Sequence, residues 1–100
     1  MIVRIVKMEF QQEKVNTFLD LFNSVYPEIS SFDGCLKVTL LHSVDAKNVY
    51  FTYSTWESEH DLENYRASEL FKQTWAKTKI LFSNKPEAWS LIQSEMKIKE

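Results

Sequence analysis

Hydrophobic and polar positions follow two periods along the chain, and the switches between them mark its elements. Met1 to Phe10 is rich in β-branched residues. Ile2-Val3 and Ile5-Val6 come in pairs rather than strict alternation, which predicts a strand covered on both sides. From about Gln12 the period lengthens: Val15, Phe18, Leu19, Phe22, Tyr26 and Ile29 fall on the stripe of an amphipathic helix. Pro27 removes an internal hydrogen bond, so a kink or helix end is expected near Val25, with a further turn over Ile29 to Phe32. Asp33-Gly34 closes the segment. Two strands, Cys35 to Ser43 and Asn48 to Thr55, are expected to form a hairpin around the polar stretch Val44 to Lys47. Two short helices follow, with Ser58 and Ser68 as N-caps. Leu62 and Tyr65 face inward from the first, and Phe71, Trp75 and Phe82 from the second. Pro86 forces a break, and Glu87 to Met96 is the last strand before a charged, frayed tail.

The predicted order is β-α-β-β-α-β with the second α divided in two, in one domain over residues 1–100. That is the ferredoxin-like pattern of the α+β class, a four-stranded antiparallel sheet with helices on one face. Side chains alternate along a strand, so Val49, Phe51, Tyr53 and Thr55 share one face while Tyr50, Thr52, Ser54 and Trp56 share the other. Neither is plainly a water face. With helices over one side of the sheet, the other is expected to present Tyr50, Trp56, Leu41 and one side of the Trp89 strand, a large apolar patch. A second copy packed sheet to sheet would bury it and leave a partly lined cavity between or beneath the sheets, with Trp56 pointing into that cavity or its rim.

Composition narrows the partners. The formal charge of −2, with acids and bases interspersed, gives no footprint for nucleic acid or an anionic membrane. No apolar run approaches the roughly 20 residues of a membrane span, and the Met1 end lacks a signal-peptide core, so a cytoplasmic protein is expected. The single Cys35 has no disulfide or zinc partner, which agrees with a reducing compartment, and is expected to be buried as a small hydrophobe. His42 and His60 provide no ligand spacing for a metal, and no Ser-His-Asp, paired-carboxylate or phosphate-loop arrangement supports a hydrolase or kinase.

The run from Tyr50 to Ser58, YFTYSTWES, continues through Asp61-Leu62, Tyr65-Arg66, Ser68 to Phe71, Trp75, Lys79, Leu81-Phe82 and Lys85 to Ser90. Together with Phe32 to Cys35 and Leu40-Leu41, these residues resemble the antibiotic biosynthesis monooxygenase (ABM) family of dimeric α/β barrels. The resemblance implies a homodimer with a pocket in each protomer between sheet and helices. The family includes cofactor-independent oxygenases of aromatic polyketides and quinols, haem-degrading enzymes and proteins of unassigned function. The haem-degrading branch relies on an asparagine in strand one and a histidine in the helix after the tryptophan. The matching positions are Lys7 and Trp75, and both departures count against haem.

The cofactor-independent branch needs a dry pocket, orientation and a base for an electron-rich phenol that passes an electron to oxygen. Trp56 and Trp75 could stack on a small aromatic or quinol-like substrate or donate to a developing oxyanion, as could Tyr50 and Tyr53. His42 is the one strand histidine that could take a proton near neutral pH. Arg66 could meet an anionic substrate at the pocket mouth. Each has a plainer reading: core packing for Trp75, Tyr53 and Trp56, a strand-end surface position for His42, a helix ion pair for Arg66. The alternative to an oxygenase is a dimer that holds a small apolar ligand, as a binding or stress-related protein, without turning it over.

Overall fold

A computed structural model describes residues 1–94 of the chain. Its elements run β1 (Ile2–Glu9), a 3-10 turn (Gln12–Lys14), α1 (Val15–Ser30), β2 (Cys35–His42), β3 (Val49–Trp56), α2 (Glu59–Arg66), α3 (Glu69–Lys79) and β4 (Glu87–Leu91). The four strands form one antiparallel sheet in the order β2-β3-β1-β4. This is the ferredoxin-like α+β architecture.

Strand parity decides everything about the site. Ile2 pairs with Trp56, Arg4 with Ser54, Val6 with Thr52 and Met8 with Tyr50, so these eight residues share one face. Trp56, Met8 and Ile2 are buried among helix side chains, which makes this the helix-covered face. The opposite face carries Val3, Ile5, Phe51, Tyr53, Trp89 and Leu91. The patch left bare by the helices therefore differs from the expected one: Leu41 and Trp89 belong to it, but Tyr50 and Trp56 lie on the covered side. The reason is the register, since Trp56 is even in the same count that makes Phe51 and Tyr53 odd.

Two clusters form the core under the helices. Met8, Phe10, Phe18 and Leu81 make one, and Ile2, Trp56 and Leu62 make the other, with Phe32, Cys35 and Tyr65 packed on it. Cys35 is half-buried there rather than enclosed, and burial pushes its thiol pKa up. Between the clusters the sheet offers small or polar side chains, Thr52, Ser54 and Ala88. Side chains of that size cannot span the gap to the helices, so a hollow remains.

The helices begin as expected. Ser58 Oγ accepts from the Asp61 N–H at 3.1 Å, and Ser68 Oγ from the Phe71 N–H at 3.1 Å. Helix α1 does not stop at Pro27; it continues to Ser30. The missing N–H would have served the carbonyl of Asn23, which lies on an exposed stretch where water can replace it, so the disruption is small. Phe82 lies beyond α3, in an isolated bridge with Phe10, and Gln11 ties that segment down by hydrogen bonds from its side chain to the Ile80 and Phe82 carbonyls. Strand β4 ends at Leu91, short of the expected Met96; the rest of that expectation, with the frayed tail, lies outside the described residues.

Candidate functional site

A cavity of about 340 Å³ occupies the gap between the two core clusters and opens past Arg66 and Glu87, both exposed. Its floor is the sheet, through Arg4, Val6, Thr52 and Ser54. Its roof is helical, from Phe18 and Phe22 on α1, Tyr65 on α2, and Phe71, Thr74 and Trp75 on α3. The walls are largely one aromatic arc. Trp56 stacks on Tyr65 with ring centroids 4.9 Å apart, Tyr65 meets Phe71 edge-on at 5.3 Å, and Phe71 lies parallel to Trp75 at 5.9 Å. Trp75 then meets Phe82, and Phe82 meets Phe10, so the arc joins one core cluster to the other. Phe71 and Trp75 are four residues apart on α3, which places them on the same helix face.

Polar groups are few and positioned. The Trp56 indole N–H donates to Ser54 Oγ at 3.0 Å, and with 1% of its surface exposed the ring is fixed as a wall. Its N–H is thereby engaged, so the expected donation from Trp56 to a substrate oxyanion is not available in this geometry. Tyr65 differs: burial, with a smaller contribution from Cys35, pushes its pKa up to about 12. It is a neutral phenol at physiological pH, able to donate a hydrogen bond but not to act as a phenolate base. Arg4 donates to Ser90 Oγ at 2.9 Å, and burial, then the nearby Arg66 guanidinium, lowers its pKa. Arg66 pairs with Glu63 at 3.5 Å across one helical turn.

The six residues singled out from sequence divide evenly. Trp56, Trp75 and Arg66 line the cavity. Tyr50 shares their side of the sheet but is packed against Phe10 and Phe18, and His42 meets its ring at a tilt, exposed, with Nδ1 2.9 Å from the Ser43 carbonyl. Tyr53 lies on the other face of the sheet, because it is one position out of phase with Ser54. His60 is exposed on α2. Sequence reasoning overlooked Arg4 and the small polar residues at positions 52, 54, 74 and 78. Arg4 did leave a signal: a charge at the same strand parity as Ile2, Val6 and Met8, in a strand expected to be covered on both sides.

Lys7, matched above to the asparagine of the haem-degrading branch, has its side chain on the face away from the cavity. The residues that β1 does turn toward it are Arg4, Val6 and Met8, and Trp75, matched above to that branch's histidine, lines the cavity with an indole that has no lone pair for iron. The described lining contains no imidazole, so it does not fit haem as that branch holds it. Among the described residues no three His, Cys, Asp or Glu side chains group as a metal site.

A four-stranded antiparallel sheet with its helices on one face defines a class of ferredoxin-like α+β proteins to which many solved structures belong. A structure of a conserved protein from Methanosarcina mazei Go1 superposes with a TM-score of 0.88 at 20% identity, covering 94% of each chain. An antibiotic biosynthesis monooxygenase superposes with a TM-score of 0.89 at 14% identity, over 95% of this chain and 100% of the other. A candidate antibiotic biosynthesis monooxygenase from Caulobacter crescentus CB15 does so at 0.87 and 21% identity, over 94% and 90%. At such identities the likeness is one of fold. No protein of curated function matches the chain in sequence. The model of the antibiotic biosynthesis monooxygenase family matches residues 1–77, and the chain belongs to that family.

Proposed function

We propose that the protein is a cofactor-independent monooxygenase of the ABM type, oxidising a small aromatic phenol or quinol with dioxygen. The observation that supports this reading is the cavity itself: about 340 Å³, walled by Trp56, Tyr65, Phe71 and Trp75, is the size and lining suited to an aromatic ring system. In such chemistry the reactive electrons come from the substrate, and the protein orients the ionised ring and limits water. Trp75 and Phe71 would hold the ring by stacking, and the Tyr65 hydroxyl would donate to an oxygen of the substrate. Glu87 borders the cavity but is paired with Lys7 across the strands and shares its face, so its carboxylate turns away, and the phenol proton leaves to water at the mouth rather than to His42.

Oxygen uptake over a panel of hydroquinones and anthrone-like phenols tests this. Saturable uptake is expected, reduced at least about tenfold in kcat/KM by Trp75→Ala and unchanged by His42→Ala. No uptake across the panel overturns it in favour of the second reading, a dimer that binds an apolar ligand without turnover, which the absence of an enclosed base in the described lining favours. A homodimer through the uncovered sheet face is part of either proposal. So is a cytoplasmic location, supported by the unpaired Cys35; among the described residues no helix is long and apolar enough to cross a membrane.

A further inference from the structure

Arg4 is the least expected residue in the cavity. It sits mid-strand on the helix-covered face, between Ile2 and Val6, where its neighbours across the sheet are Ser54 and Ser90. Its hydrogen bond in the described structure is to a neutral hydroxyl, Ser90 Oγ. No described carboxylate lies within 4.0 Å of it. A half-buried guanidinium held by a serine alone is poorly compensated, since a charge taken from water needs an opposite charge or a full set of acceptors. A second cation makes matters worse: Arg66 lines the same cavity, close enough to act on Arg4, and the Glu63 carboxylate offsets it only in part. Arg66 has Glu63 at 3.5 Å, but both side chains are largely exposed, and such a pair opens at little energetic expense. Two like-charged forks, with most of their ten N–H donors uncommitted, therefore converge on one end of an otherwise aromatic hollow. Glu87, the carboxylate residue bordering the hollow, is paired with Lys7 across the strands and turns its side chain to the other face of the sheet.

We propose that Arg4 and Arg66 are the anion-recognising end of this cavity, and that its ligand is an amphipathic aromatic monoanion: fused rings between Trp75 and Tyr65, carrying one carboxylate that both guanidiniums grip. The inference rests on the cavity being the ligand site and adds the charge of what it takes. Size sets the ring count. A cavity of about 150 Å³ accepts a single benzene ring, so about 340 Å³ suits two fused rings with substituents. A guanidinium matches a carboxylate with two parallel hydrogen bonds, which a neutral amide cannot reproduce.

Isothermal titration of the full chain with 1-hydroxy-2-naphthoate and with its neutral carboxamide measures the preference directly. The carboxylate is expected to bind at least about tenfold tighter, the scale of a charge-assisted hydrogen bond. Arg4→Gln should bring the two probes within about twofold while Arg4→Lys keeps part of the preference. Equal binding of the two probes by the native protein, binding of the amide alone, binding of neither, or a preference that survives in a folded Arg4→Gln protein overturns the proposal. Should Arg4→Gln fail to fold, Arg66→Gln at its exposed site replaces it: a preference reduced at least threefold supports the proposal, and an unchanged one overturns it. Oxygen uptake is read separately. Carboxylate binding that depends on Arg4 without uptake leaves this inference standing and removes the oxygenase, whereas uptake with neutral quinols and no carboxylate preference does the reverse.

Discussion

At the scale of single residues, Gly34 and Tyr65 are the positions where chemistry is most tightly prescribed. Gly34 has φ of +84°, and a Cβ placed there would stand 2.3 Å from Cγ of Asp61, itself held by the Ser58 cap. Both the left-handed backbone and the close approach exclude a side chain. Gly34→Ala should cost about 2 kcal/mol or more, seen as a fall in melting temperature on the order of 10 °C. Tyr65 makes a pH-dependent contribution of known sign. In the unfolded chain its phenol loses a proton near pH 10, and in the folded chain near 12, so between those values the unfolded state holds fewer protons. Stability is full below pH 10 and declines as pH rises toward 12, and Tyr65→Phe should flatten that decline in thermal melts taken across the window. The sequence showed Tyr65 facing inward and Trp56 at a strand end. It could not show that Ser54 takes the Trp56 N–H, because that bond joins residues two apart on one strand face and depends on the indole's rotamer.

The elements were legible wherever a local rule governs them. Both caps, the switch from strand to helix near Gln12 and the closing glycine follow from short-range hydrogen bonding and sterics, which a sequence displays. Ser68→Ala should cost about 1 kcal/mol by removing the acceptor for the Phe71 N–H, and urea titration would show it as a lower midpoint with an unchanged slope. What failed was set by tertiary context. Proline rules anticipated a kink or an end near Val25; the helix does not end there, because buried Ile29 draws another turn of α1 onto the core. The face of β3 was misjudged for a related reason. Its aromatics alternate on both sides, so hydrophobicity does not reveal parity, and only pairing with Ile2 and Cys35 sends Trp56 under the helices.

The whole molecule has one sheet face that its helices do not reach. Val3, Ile5, Phe51 and Tyr53 are half-buried there, while Leu41, Leu91 and Trp89, the last 42% exposed, stand further into solvent. Such a patch is the kind a second copy covers. Light scattering should give about twice the monomer mass at micromolar concentration, as for an interface above about 1,000 Å². Trp89→Glu should shift the protein toward monomer while His60→Ala leaves it unchanged, because an indole near an interface centre contributes far more than a rim position. A native protein that stays monomeric would refute the assembly.

Strand β4 is five residues long, bonded on one edge to β1, and exposed throughout. Ala88 borders the hollow, while the next residue, Trp89, projects from the opposite side of the same backbone. Any displacement of so thin a partition is felt on both sides at once. If copies join through Trp89, occupancy of the interior and affinity between subunits become reciprocal quantities: whatever factor a guest adds to self-association, self-association must return to the guest.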